Sequence, residues 1–156
     1  MRALLQRVSR AQVSVDGQRL GAIDRGLLVF LGVAPFDDEW VASGMAAKVA
    51  GLRIFADAEG LTNLSLVDVG GAALVVSQFT LYADARRGRR PSFVGAAGPV
   101  VGERLYEVFC EILASTGVPV QQGSFGAHME VELVNDGPFT VWLDSAELGI
   151  EPRPSE

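Results

Sequence analysis

The order of apolar segments predicts an α+β fold: a curled, barrel-like sheet of mixed or antiparallel strands with two principal helices. Three observations carry this. Most apolar segments are of strand length, only two stretches repeat with helical spacing, and Gly, Pro, Asn and Asp clusters punctuate the chain between them. Residues 3–15 alternate loosely as a strand, Asp16-Gly17 is a hairpin signal, and residues 18–23 return from it. Residues 26–33 form an unbroken apolar run and read as a central strand. Asp37 or Asp38 caps a helix to about Ala50, with Trp40, Val41, Met45, Val49 and Leu52 on its apolar face. Short strands are expected at 53–56 and 64–69, and a longer one at 72–81 after Gly70-Gly71. Alternation along the last puts Ser77 and Phe79 on one face and Gln78 and Thr80 on the other. A long basic, Gly-rich loop covers 82–99. Pro99 then opens a second helix, striped by Val101, Leu105, Val108, Phe109, Ile112 and Leu113 and stopped at Gly117. Residues 118–122, 129–134 and 139–143 read as closing strands, the last two joined by a turn at Asn135-Asp136-Gly137-Pro138. One domain is expected over residues 1–145, followed by a flexible tail at 146–156, frayed from Glu151 on.

Composition narrows the function classes. The 156 residues are 49% hydrophobic, and the mean hydropathy is +0.27, yet every apolar run is too short to span a bilayer. No membrane partner is expected. The start of the chain lacks the apolar core of a secretory signal, and the one cysteine, Cys110, favours a reducing compartment, so a cytoplasmic location is expected. The formal net charge of -6 argues against coating a long duplex, and DNA is not an expected partner. The basic residues are nevertheless clustered: Arg86, Arg87, Arg89 and Arg90 fall almost consecutively, and Arg2, Arg7 and Arg10 lie near the start. A local basic patch suits the grip of one RNA end.

Several chemistries lack their residues. With one histidine, His128, and one cysteine, no Cys/His zinc set exists, and no metal or cofactor is expected. No phosphate-cradling glycine fingerprint and no Gly-x-Ser-x-Gly elbow occurs. What remains is a polar cluster, Ser77-Gln78-Phe79-Thr80, closing an apolar strand, which is a common place for a pocket. The competing reading is that these hydroxyls only satisfy nearby backbone groups. Asn135-Asp136-Gly137-Pro138 is the second candidate, with a plain hairpin turn as its competing reading.

Taken together, these motifs resemble the D-aminoacyl-tRNA deacylase family, once called D-Tyr-tRNA deacylase. The resemblance runs over about residues 1–144. It rests on Met1-Arg2-Ala3 with Gln6-Arg7-Val8, Leu52-Arg53-Ile54-Phe55, Asn63-Leu64-Ser65, Ser77-Gln78-Phe79-Thr80-Leu81, Arg90-Pro91-Ser92-Phe93 and Asn135-Asp136-Gly137-Pro138-Phe139-Thr140. It implies the fold of that family, a cytoplasmic homodimer, and hydrolysis of D-aminoacyl and glycyl esters of tRNA as chiral proofreading in translation. It further implies that Ser77, Gln78, Phe79 and Thr80 line the catalytic pocket. Gly137-Pro138, as a cis pair, enters the other subunit's site and excludes L-residues. Phe125, Ala127, Met129 and Asn135 belong to the adenosine and substrate pocket. Arg7, Arg86, Arg87 and Arg89 are the expected tRNA contacts. Two other readings stay open: a non-catalytic tRNA-end binding or editing module, and a serine esterase on small esters using Ser77 and His128.

Overall fold

A computed structural model describes residues 1–154; Ser155 and Glu156, the end of the expected frayed tail, lie outside the described residues. Strand β1 (Arg2–Val15) organises the molecule. Its first half pairs antiparallel with β3 (Gly26–Gly32), its second half with β2 (Gln18–Ile23), and its other edge pairs along the whole length with β8 (Glu130–Asp144). The β1–β2 hairpin turns at Asp16 and Gly17, with φ of 49° and 77°, the left-handed pair that a two-residue hairpin requires. Strand β6 (Ala72–Ser77) adds parallel to β3, and β7 (Val120–Gln122) adds parallel to β6. The sheet curls until β2 lies close to β7: a Cβ on Gly21 would stand 3.2 Å from the Gln122 carbonyl oxygen.

Two cores follow from the alternation. Val8, Ala11, Val13, Ile23, Leu28, Leu74 and Val76 fill one face of the sheet, with Met129, Val131 and Leu133 packed against them. Ala3, Leu5, Leu27, Val29, Leu31, Ala73 and Val75 face the other way, towards helices α1 (Glu39–Gly51) and α2 (Pro99–Ser115). Asp38 is the cap of α1, its carboxylate accepting the Val41 N–H at 2.9 Å. The buried stripe of α1 is Val41, Ala42, Met45, Ala46, Val49 and Ala50, whereas Trp40 is exposed. Arg153 lays its guanidinium 3.9 Å from the Trp40 ring centroid and donates its backbone N–H to Asp38. Ile150 sits on Gly44, where a Cβ would come within 2.6 Å.

Four elements differ from the sequence reading. A small hairpin pairs β4 (Phe55–Ala56) with β5 (Thr62–Leu64), so the strand expected at 64–69 ends where it was to begin. Ser65 and Asp68 cap each other instead: Ser65 N–H donates to the Asp68 carboxylate and Asp68 N–H to the Ser65 hydroxyl, closing a helical turn. Strand β6 stops at Ser77, and Phe79–Tyr82 form a single 3-10 turn, which cancels the expected alternation of Ser77 to Thr80. Strand β7 begins two residues later than the expected 118. Finally, residues 129–134 and 139–143 are one strand: both halves pair with β1, and Asn135–Pro138 bulge from it rather than reverse it.

Candidate active site

The Ser77-Gln78-Phe79-Thr80 segment lies where β6 leaves the sheet. The last sheet bond is Gln78 N–H to the Leu31 carbonyl at 2.8 Å, after which Gln78 (φ -146°, ψ 79°) turns the chain away. The Gln78 side-chain amide donates to the Thr80 hydroxyl, so that hydroxyl is already engaged. Phe79 is 56% exposed and meets Phe93 edge-on, centroids 5.2 Å apart. Among the described residues the N–H groups of Phe79 and Thr80 meet no acceptor, which leaves both donors available.

Beside this turn the basic loop is built rather than loose. Asp84 and Ser92 exchange two backbone bonds of 2.7 and 2.9 Å, closing the loop at its base. Arg86 grips Asp84 with both prongs, at 2.8 and 2.7 Å, which holds the Asp84 carboxyl well below the usual carboxylate range. Arg87, Arg89 and Arg90 are exposed beyond it and form no ion pair among the described residues.

The Asn135–Pro138 bulge has its own scaffold. Asn135 donates to the Arg7 and Phe139 carbonyls at 2.8 and 3.1 Å. The Gly137–Pro138 peptide bond is cis, as the resemblance implies. Arg7, expected as a tRNA contact, is turned inward: its side chain is 12% exposed. It donates to the carbonyls of Asp136 (3.1 Å), Gly137 (3.4 Å) and Ile54 (2.7 Å), pairs with the Asp136 carboxylate (3.0 Å), and lies 4.4 Å from the Phe139 ring.

One chain does not bring the two motifs together. Ser77 stands opposite Leu31, which stands opposite Ala3, whereas the bulge lies beside Arg7, opposite Leu27 and Ala73. That is four residues along the strands and three strands across, roughly 13 Å by 14 Å in sheet dimensions. Of the other candidates, Phe125 packs over Gly102 and Tyr106 of α2, Ala127 closes the loop turn with Ser124, and the Met129 sulfur folds back onto the Ser124 N–H. His128 is exposed and makes no hydrogen bond with Ser77. Cys110 is buried in α2, and that burial pushes its thiol up to about 12, which removes it as a nucleophile. No group of three His, Cys, Asp or Glu suited to a metal occurs among the described residues. A groove of about 630 Å³ between Arg10, Arg19, Asp24 and Glu132 contains none of the motif residues. The sequence reading gave Tyr82 and Asp84 no role, and it placed Arg2 only in a basic cluster and Phe93 only in a motif; the meeting of Arg2 with Tyr82 and Asp144 depends on strand register, which no local pattern reveals.

The family model described as D-Tyr-tRNA(Tyr) deacylase matches residues 4–144. The chain belongs to that family. Proteins named D-aminoacyl-tRNA deacylase from Thermomicrobium roseum and Roseiflexus castenholzii are each 60% identical to it; the first match covers 95% of this chain and 96% of the relative, the second 98% and 97%. Among solved structures, one titled c-Myc DNA Unwinding Element Binding Protein aligns with a TM-score of 0.88 at 39% identity, over 93% of this chain and 99% of that one. A structure titled as a probable eukaryotic D-amino acid tRNA deacylase aligns with a TM-score of 0.80, over 91% and 97% of the two chains. At 20% identity it attests the fold. The α+β architecture, with its nearly closed mixed sheet and two helices, is that of the deacylase family.

Proposed function

We propose that this chain hydrolyses the ester of D-aminoacyl-tRNA, releasing the free D-amino acid and tRNA, and that glycyl-tRNA, including glycine mischarged on tRNA(Ala), is a further substrate. The observation that carries this is membership of the deacylase family over residues 4–144. A water oxygen attacks the ester carbonyl, negative charge gathers on the carbonyl oxygen, and the ribose oxygen leaves with a proton. The Phe79 and Thr80 N–H groups take up the charge, supported by their lack of another acceptor. The Thr80 hydroxyl accepts from Gln78 and donates to no base among the described residues, so water rather than this hydroxyl attacks, assisted by the 2′-hydroxyl of the terminal ribose.

The working site combines two copies of the chain. The bulge of one subunit reaches the Ser77–Thr80 turn of the other, and its carbonyls crowd the position an L side chain would occupy. Support comes from the separation of the motifs within one chain, the exposure of residues 135–138, and the Arg7 grip on the Asp136 and Gly137 carbonyls. Arg87 and Arg89 contact tRNA phosphate, with Arg86 shaping their loop through Asp84. Phe125 and Ala127 border the adenosine end, and Met129 backs their loop from the core. A cytoplasmic location fits such a substrate, and no helix among the described residues is long and apolar enough to cross a membrane.

Hydrolysis of matched D- and L-aminoacyl-tRNA by the purified protein is the test, with rapid loss of the D-ester and persistence of the L-ester expected. Equal rates on both, or binding without turnover, would overturn it, the latter in favour of a tRNA-end binding module. Loss of activity in His128→Ala would favour the serine esterase reading. The name of the relative at 39% identity motivates one further control, competition by duplex DNA.

A further inference from the structure

Arg2 begins β1 and stands between two neighbours, Gly32 of β3 and Asp144 of β8. Its Nε donates to the Asp144 carboxylate at 2.8 Å and its Nη1 to the Leu81 carbonyl at 3.1 Å. The guanidinium lies 4.5 Å from the Tyr82 ring centroid and 5.5 Å from that of Trp142. One planar group thus ties the end of β8 to the turn that carries Phe79 and Thr80. The turn's other ties are local. None of its residues is buried; Leu81 N–H donates to Gln78 and Ala83 N–H to Thr80 at 3.2 and 3.0 Å, the Gln78 amide meets the Thr80 hydroxyl, and Phe79 meets Phe93. Beneath it is bare backbone: a Cβ on Gly32 would lie 3.0 Å from the Gln78 carbonyl oxygen and 3.2 Å from Leu81 Cβ.

We propose that Arg2 is a positioning residue for the reaction. By bridging Asp144 and the Leu81 carbonyl, it presses the Phe79–Tyr82 turn onto Gly32 and aims the Phe79 and Thr80 N–H groups at the scissile ester. The proposal rests on the deacylase reading above. Two features of the geometry set its consequences. The Arg2 side chain is 33% exposed, so its ion pair contributes modestly to global stability. The fork is also needed in full: a lysine ammonium keeps the charge but cannot span both acceptors while lying flat between two rings.

Steady-state kinetics on a D-aminoacyl-tRNA, with thermal melting and amide NMR on the same samples, tests this. Arg2→Lys is expected to lower kcat by about tenfold to a hundredfold, the size of effect that misplaced donors produce, while KM changes little and the melting temperature stays near wild type. The amide shifts of Phe79, Thr80 and Leu81 should move while those of Ala3 and Leu5 do not. Asp144→Asn should lower kcat in the same direction by less, and the double variant should be no worse than Arg2→Lys, because both act through one contact. Wild-type kcat in Arg2→Lys would overturn the proposal. So would a loss of kcat that simply tracks a loss of melting temperature, which would make Arg2 a structural tie only. If the wild-type protein hydrolyses no D-ester, the functional reading fails by itself. The amide shifts still decide whether Arg2 holds the turn.

Discussion

Arginine direction matters more than arginine number in this molecule. Arg7 and Arg86 belong to the clusters that suggested RNA contact, yet Arg7 spends its donors on the Asp136, Gly137 and Ile54 carbonyls and Arg86 on Asp84. Composition reveals charge but not where it points: Arg7 is turned by partners far along the chain and Arg86 by one only two residues away. Arg7→Ala strands those carbonyls and removes the cation over Phe139. A loss of about 2–3 kcal/mol is expected, read as a lower urea midpoint at constant slope, together with faster hydrolysis of L-aminoacyl-tRNA. An unchanged D/L ratio would separate the bulge from chiral selection. Asp84 supplies a pH signature. The Arg86 side-chain bonds lower its carboxyl in the folded state, so the contribution of the pair is complete above the ordinary carboxylate value and is lost only as pH falls through the lower folded one. Carboxyl-carbon NMR should show Asp84 titrating below 3.8, and a midpoint at 3.8 would mean that the loop is not closed in solution.

Helix α2 was legible because its apolar spacing, Pro99 and Gly117 agree with the structure, and α1 because the Asp38 cap, Val41, Met45 and Val49 do, although Trp40 is exposed and Leu52 lies past the helix end. Strand ends were less so. Alternation over residues 72–81 continues on paper past Ser77, but the chain leaves the sheet once Gln78 has made its bond to Leu31. The bulge at Asn135–Pro138 reads as a turn because Asn, Asp, Gly and Pro favour reversal. Continuous pairing of both flanks with β1 overrides that preference. The layer between sheet and helices is where stability concentrates. Phe109, fully buried against it, should cost about 3–5 kcal/mol when replaced by alanine, measured by chemical denaturation. A cost below 1 kcal/mol would mean that the two helices repack freely around the gap.

At the scale of the whole molecule, sequence motifs name the parts of a site without saying which copy supplies them. That information lies in register: β1 places the bulge beside Arg7 and, across β3, the Ser77 end level with Ala3, four residues along the strand and three strands away. Complementation tests the two-copy site. One variant carries a damaged Gln78-Phe79-Thr80 turn, the other a damaged Gly137-Pro138 bulge, and each alone should be inactive. Co-refolded as a mixture, they should recover about a quarter of wild-type activity, since half the dimers are mixed and each mixed dimer holds one intact site of two. No recovery would place both motifs of a working site in the same chain, or the protein in another assembly.

The two tryptophans have a practical consequence. Each carries an arginine on its ring, Arg153 on Trp40 at the tail and Arg2 on Trp142 beside the turn. A cation against an indole changes its emission, so intrinsic fluorescence holds two separable optical reporters. With Trp142 replaced by phenylalanine, the remaining light follows the tail on α1. With Trp40 replaced instead, it follows the Arg2 bridge, and substrate arrival at the turn becomes visible without any label.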